Sequence, residues 1–324
     1  MNVRRPACFV STASVLMDLP LHVSKVPQPG GAVTATSNGP AVGGGYTVVC
    51  AVARQGVPSA LAATLGTGPN SALARSAMMR DGVELVVEEL VGDIGTCTTL
   101  IEPDGRRTFI TTQGVEAEPQ IDDLNRVDLL PGDYVYANGY DLAHESSREC
   151  IASWLCNLPE GVGLVIDFGP AESEIPDSIL SCVLNRATIV TGNDKEIAVL
   201  EERLGSREAL REAAPDALLV RRIGDKGCKL WPVDGPIELI PGFSQRVVDT
   251  TGAGDTHTGV LVASLMEGMD IYEAARRANA AASVSVRYRG PAQSPHRSEI
   301  DAILESAEPV ESASLNISRY SSES

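Results

Sequence analysis

Residues 247–259 read VVDTTGAGDTHTG. Two valines end in an acid, two threonines follow, and Gly252-Ala253-Gly254 leads into a second acid, Asp255. Downstream, THTGVLVASLMEGMD (256–270) sets Leu261 and Leu265 on one face, with Gly259, Val262, Ala263 and Met266 beside it. That spacing predicts a buried or half-buried helix ending near Gly268. The glycine turn therefore opens a helix. The first N–H groups of a helix have no internal partner, and its dipole places partial positive charge there. Bare backbone lets an anion approach closely, which makes the turn an oxyanion or phosphate cradle. A carboxylate is a poor phosphate neighbour unless a substrate hydroxyl lies between them. Asp255 placed there reads as a general base for in-line phosphoryl transfer, with the Gly252, Ala253 and Gly254 backbone holding the phosphoryl group. The same residues also describe a plain turn with an acidic helix cap. A dinucleotide fingerprint is not met, because His257 stands where a third glycine belongs, and no Walker A motif occurs.

The chain has 324 residues, room for one large α/β domain or two ordinary ones. Hydrophobic residues make up 43% and aromatics only 4%, so Ala, Val, Leu and Ile must fill the core. No apolar run approaches the length of a membrane span. The opening MNVRRPACFVSTASVLMDLP places basic residues before an apolar run, as a signal peptide does. The run is short and broken by Ser and Thr, and Asp18 follows at once, so it reads as a first β-strand. A net charge of −17 argues against nucleic acid and anionic membranes as partners. The seven cysteines are odd in number and form no C-x-x-C pair. That argues against zinc and a disulfide framework and for a reducing cytoplasm. The four histidines (His22, His144, His257, His296) are scattered and read as surface or packing residues.

Apolar runs of strand length alternate with helical patterns. Strand candidates are 7–17, 59–66, 133–139, 163–169, 187–193 and 217–224. Helices are expected over 45–56, 71–81, 144–157 and 194–204. This alternation argues for a parallel sheet covered on both faces. One stretch breaks it: TCTTLIEPDGRRTFITT (96–112) carries two β-branched segments around Pro103-Asp104-Gly105, a hairpin signal. With the Pro- and Gly-rich segment 19–42 it suits a small antiparallel sheet, either decoration or a lid that excludes water. The Ser-rich 308–324 reads as a disordered tail.

The stretch DTTGAGDTHTG resembles the C-terminal signature of the ribokinase-like (PfkB) carbohydrate kinases, and further matches follow over roughly residues 6–305. MDLPLHVSKVPQPG (17–30) resembles the family's first strand and its exit, with Asp18 as a ligand of sugar hydroxyls. GGGYTVVCAVARQGVPSALAATLG (43–66) is similar to its N-terminal signature, with Gly43 and Gly44 in place. Thr47 stands where the family has Asn, which bears on substrate identity. TGNDKE (191–196) resembles its N-x-x-E motif, implying that Asn193 and Glu196 help hold Mg²⁺-phosphate through water; read without the resemblance they are a helix cap. RRIGDKG (221–227) resembles the loop that grips the nucleotide, with Gly224 and Gly227 matching. Arg222 stands where a small polar residue is usual; either Arg222 or Lys226 meets an ATP phosphate on this resemblance, and each also reads as an ordinary surface charge. Asn279 matches a residue near adenine. Asp249, Thr251, Ser285, Gly290 and Ser294 fall where many members bind a monovalent cation, usually K⁺.

The resemblance implies a three-layer α/β sandwich with a mostly parallel central sheet and a small β-sheet lid. It implies one kinase domain over 1–307, with lid segments near 19–42 and 93–115. ATP, Mg²⁺ and a lid-mediated homodimer are implied as well. The expected activity is phosphorylation of a hydroxymethyl group on a sugar or sugar-like substrate. A nucleoside kinase of the same fold and a non-catalytic sugar or nucleotide sensor are the alternatives. A nucleotide-dependent oxidoreductase is disfavoured, because the first strand does not run into G-x-G-x-x-G.

Overall fold

The computed structural model describes residues 5–306; the Ser-rich 308–324 lies outside the described residues. Nine strands form the main sheet. They are β1 (Phe9–Ser11), β4 (Ser59–Leu61), β5 (Val83–Leu85), β8 (Tyr134–Asn138), β9 (Gly163–Asp167), β10 (Ile189–Asn193), β11 (Leu218–Arg222), β12 (Gly227–Trp231) and β13 (Glu238–Pro241). Their order is β13-β12-β11-β10-β9-β8-β1-β4-β5. All neighbours from β11 to β5 pair parallel, and β12 and β13 add an antiparallel edge. The parallel strands are short apolar runs buried on both sides, as a doubly covered sheet requires.

A separate sheet takes β2 (Val15–His22), β3 (Ala41–Gly44), β6 (Thr96–Ile101) and β7 (Arg107–Thr112), in the order β3-β2-β6-β7. β6 and β7 are the expected hairpin, and Gly105 at its tip has φ +86°. Here the sequence reading needs correction. The run 7–17 is two strands in two sheets, because the chain turns at Thr12–Ser14, where both the amide and the hydroxyl of Ser14 bond to Asp141. The small sheet is also mixed, since β2 pairs parallel with β6.

Helices α1 (Gly45–Ala53), α2 (Pro69–Asp81), α9 (Ala253–Met266) and α10 (Ile271–Ser285) cover one face of the main sheet. The other face carries α3 (Ile121–Leu124), α4 (Gly139–Ala143), α5 (Arg148–Cys156), α6 (Asp177–Arg186), α7 (Asp194–Leu204) and α8 (Arg207–Ala213). The last helix, α11 (Arg297–Ser306), packs on α10 through Ile300 and Ala280. Few aromatics are needed, because Ala274, Ala275 and Ala278 bring α10 close to α9, whose Leu261 is fully buried. Burial of such a leucine contributes about 1.5–3 kcal/mol. The cysteine reading also needs correction: Cys156 and Cys182 form a disulfide between α5 and α6, with Cα atoms 6.1 Å apart. These residues meet because the two helices pack side by side, which sequence spacing does not reveal. Among the described residues no helix is long and apolar enough to cross a membrane.

Candidate active site

Four parallel strands end in polar residues: Asn138 on β8, Asp167 on β9, Asn193 on β10 and Arg222 on β11. All four line one cleft of about 1100 Å³. It lies at the carboxyl ends of the strands, beside the place where strand order reverses around β1, where open α/β sheets bind ligands. The small sheet closes it from the other side. Leu16 and Asp18 on β2, Cys97 on β6, and Phe109 and Thr111 on β7 all line the cleft. Asp18, Cys97 and Thr111 stand in register across the three strands, so they share a face.

The start of α9 forms part of the wall, through Thr250, Ala253, Gly254 and Asp255. Gly252 caps this helix with φ +74° and no side-chain cap bond. A Cβ on Gly252 would fall 2.0 Å from the Pro291 carbonyl oxygen, so only glycine fits the turn. The Ala253 amide donates to the Thr250 carbonyl at 3.3 Å. Among the described residues, the amides of Gly252, Gly254 and Asp255 have no hydrogen-bond partner. The Asp255 carboxylate has none either. Burial raises its pKa to about 7; the charge of Asp167 adds to the rise, Arg222 opposes it, and Asp18 and Glu196 add smaller pushes.

Arg222 crosses beneath this turn, with its guanidinium packed against Gly254. Its Nη1 donates to Asp167 Oδ2 at 2.8 Å, to the Thr191 hydroxyl at 2.7 Å and to the Thr258 hydroxyl at 3.0 Å. Nη2 lies 3.6 Å from Glu196 Oε2. The arginine thus ties the ends of β9, β10 and β11 to α9 and keeps one positive charge under the unpartnered amides.

Asp18 also offers an unpartnered carboxylate to the cleft, and burial raises its pKa to about 6. A Cβ on Gly43 would meet Asp18 Oδ2 at 2.0 Å, so that glycine makes room for the acid. Gly44, Gly224, Gly227 and Asn279 line the same cleft. Thr47 does not: it is 1% exposed, and its methyl group backs the Gly252 turn. Asn193 caps α7 and forms a capping box with Glu196, whose Oε2 accepts from the Asn193 amide at 2.6 Å. Glu196 Oε1 is without a bond among the described residues. Burial and Asp167 raise the pKa of Glu196, against the pull of the Asn193 amide and Arg222. No cluster of three or more His, Cys, Asp or Glu among the described residues could hold a metal alone. One carboxylate beside a phosphate cradle nevertheless suits Mg²⁺, which completes its shell with phosphate oxygens and water.

Of the residues read as a monovalent-cation site, Asp249, Thr251 and Gly290 are joined by hydrogen bonds, and the Asp249 amide donates to the Val286 carbonyl beside Ser285. Asp249 accepts from the Gly290 amide, from the Thr251 amide and hydroxyl, and from Arg107 of β7 at 2.7 Å. Burial opposes its ionisation, yet these donors hold its pKa below the usual range. Ser285 bonds back to Ala282 of its own helix. The Ser294 hydroxyl is buried without a partner. The Thr251 and Ser285 hydroxyls donate their protons and keep lone pairs, and Arg107 sets a positive charge beside Asp249.

Five further acids (Glu116, Asp141, Asp167, Glu174 and Asp225) and two histidines (His144 and His257) line the cleft that sequence reading did not single out as site residues. Asp167 ends β9, a position that alone could have flagged it. Asp141 and Glu116 had no such signal, since they reach the cleft from a short helix and a connecting turn. His257 accompanies Asn279, whose amide donates to the Ile240 and Pro241 carbonyls and whose Oδ1 faces His257 Nε2 at 3.1 Å. Burial and Arg222 lower the pKa of His257 to about 3, so it is neutral.

Comparison with known proteins agrees with this geometry. The family model for pfkB family carbohydrate kinases matches residues 9–297. A sugar kinase of Escherichia coli strain K12, YegV, whose function is uncharacterised, is 34% identical over 80% of this chain and 82% of its own. An ATP-dependent ribose-1-phosphate kinase of Halopiger xanaduensis is 24% identical over 91% of this chain and 97% of its own. The crystal structure of a ribokinase from Thermotoga maritima superposes with a TM-score of 0.77 at 22% identity, covering 93% of this chain and all of the other.

Proposed function

Because the chain belongs to the pfkB family of carbohydrate kinases, which are ATP-dependent phosphotransferases acting on an alcohol, we propose that it phosphorylates a hydroxymethyl group of a sugar or sugar-like molecule, using a single kinase domain over 1–307. One observation carries this reading. Among the described residues, a half-buried carboxylate without a partner, Asp255, follows the Gly252 and Gly254 amides, which also lack one. The γ-phosphoryl group of ATP would rest on the Gly252-Ala253-Gly254 backbone, with the acceptor hydroxyl between it and Asp255. Asp255 takes the hydroxyl proton as the new O–P bond forms. The bond to the bridging oxygen breaks, and ADP leaves with that electron pair. Such a base contributes about 10²–10⁴-fold, and positioning with charge stabilisation supplies most of the rest.

Asp18 accepts hydrogen bonds from other hydroxyls of the acceptor. Gly224, Gly227 and Asn279 border the nucleotide, and Arg222 holds positive charge beneath the cradle. Mg²⁺, when bound with ATP near Glu196, would neutralise phosphate charge. No step needs K⁺. The small sheet, held down by Arg107 on Asp249, keeps water from the reacting groups. Its outer strand β7 leaves Phe109 and Ile110 exposed, which supports a homodimer joined through the lid.

Asp255→Asn is expected to abolish ADP release while leaving ATP affinity within a few-fold. Retained turnover refutes the base assignment. A nucleoside acceptor is the second reading, favoured by Tyr140 and Phe109, which line the cleft with at least half of their surface open and offer a ring for a base to stack on. ADP release across a panel of sugars and nucleosides decides between them.

A further inference from the structure

Charge is distributed unevenly along the cleft. At the end walled by the small sheet, Asp18, Glu116 and Asp141 all face the cavity. Ser14 ties two of them together, its hydroxyl bonding both to Asp141 Oδ1 and, at 3.2 Å, to the Glu116 carbonyl. Asp141 also accepts from the Ser14 amide at 3.1 Å. Glu116 takes the Gly95 amide at 2.8 Å and the Gly114 amide at 2.9 Å. Both acids are therefore fixed in place, while Asp18 has no partner among the described residues. Among the described residues no lysine lines the cleft, and the one arginine that does, Arg222, lies under the α9 turn with Asp167 and Glu196 upon it. His144 at the mouth is engaged with Gln113 of the small-sheet side at 3.0 Å.

A molecule entering this end meets acceptors and negative charge, with no cation to pair with. Hydroxyl groups satisfy such a wall, because each donates to a carboxylate. A phosphate or carboxylate group does the reverse, since like charges brought together in a partly desolvated site repel strongly.

We infer that the acceptor pocket selects an uncharged polyhydroxylated molecule and rejects sugars that already carry a phosphate or a carboxylate. This rests on reading the cleft as a kinase site and narrows its substrate class. It separates this chain from its relative named for ribose 1-phosphate, because such an acceptor brings its own negative charge.

The test is calorimetric binding of matched acceptor pairs to the wild-type protein, run beside ADP release with ATP and Mg²⁺. Neutral pentoses, hexoses, polyols and nucleosides are set against their phosphorylated or aldonate counterparts. The neutral partner of the best pair is expected to bind at least about a hundredfold more tightly, a like-charge penalty of ordinary size. An anionic partner that binds equally well or better overturns the inference, whether or not ADP appears. Tight neutral binding with no ADP release supports the selectivity and instead sinks the kinase reading. Asp141→Asn, which keeps an acceptor for Ser14 but removes a charge, should narrow the gap about tenfold. An unchanged gap in a folded variant overturns the electrostatic cause.

Discussion

At Asp255 the direction of the pH dependence follows from its surroundings. Burial and Asp167 raise its pKa to about 7, and the base must be ionised to accept a proton. The catalytic efficiency kcat/KM is therefore expected to climb about tenfold per pH unit below that value and to level off above it. Asp167→Asn removes the largest charge that raises this pKa and frees Arg222 to act on Asp255. Both changes favour the ionised base, so the acid limb should move to lower pH. A limb that stays in place would disconnect the two acids. Gly252 carries a different prediction. Alanine there meets the Pro291 carbonyl and a positive φ together, at a cost of about 2–4 kcal/mol and of the amide arrangement. Denaturant unfolding and ADP release should fall together; a stable, active Gly252→Ala would mean that the turn is not rigid.

Among elements, those that a local signal marks were legible in advance. The helix over 194–204 has the expected bounds, with Asn193 and Glu196 as its capping box. Helix α9 begins at Ala253, directly after the glycine turn that announced it. Strands β8 to β11 fall within the apolar runs that announced them. The split of 7–17 between two sheets was not legible. Nothing in that apolar run shows that Asp141, more than a hundred residues away, captures Ser14. The site divides the same way. Gly252, Asp255 and Asp18 sit in local patterns, whereas Arg222's ties to Asp167, Thr191 and Thr258 exist only once three strands and a helix converge. The Arg107–Asp249 pair was hidden for that reason too, and it makes an element-scale prediction. Arg107→Ala releases the small sheet from the loop before α9 without touching the cradle or the base. The KM for the acceptor is expected to rise about tenfold, with a smaller change in kcat. An unaltered KM would show that the pair does not hold the lid.

For the molecule as a whole, the Cys156–Cys182 bond closes a loop of 26 residues between α5 and α6. Chain-entropy reasoning assigns such a link up to about 3–4 kcal/mol of stability. Cys182→Ser should therefore unfold at lower denaturant with ADP release intact, since neither cysteine lines the cleft. Loss of turnover in the folded variant would tie these helices to the chemistry. The cleft itself is continuous from Asp18 to Asn279. Joining an acceptor to adenosine through a chain of phosphates converts two encounters into one, because the second half arrives at the high effective concentration set by its tether. A bisubstrate ligand of matching span is thus expected to bind at least about a hundredfold more tightly than either half, and a chain one phosphate too short should forfeit most of that avidity.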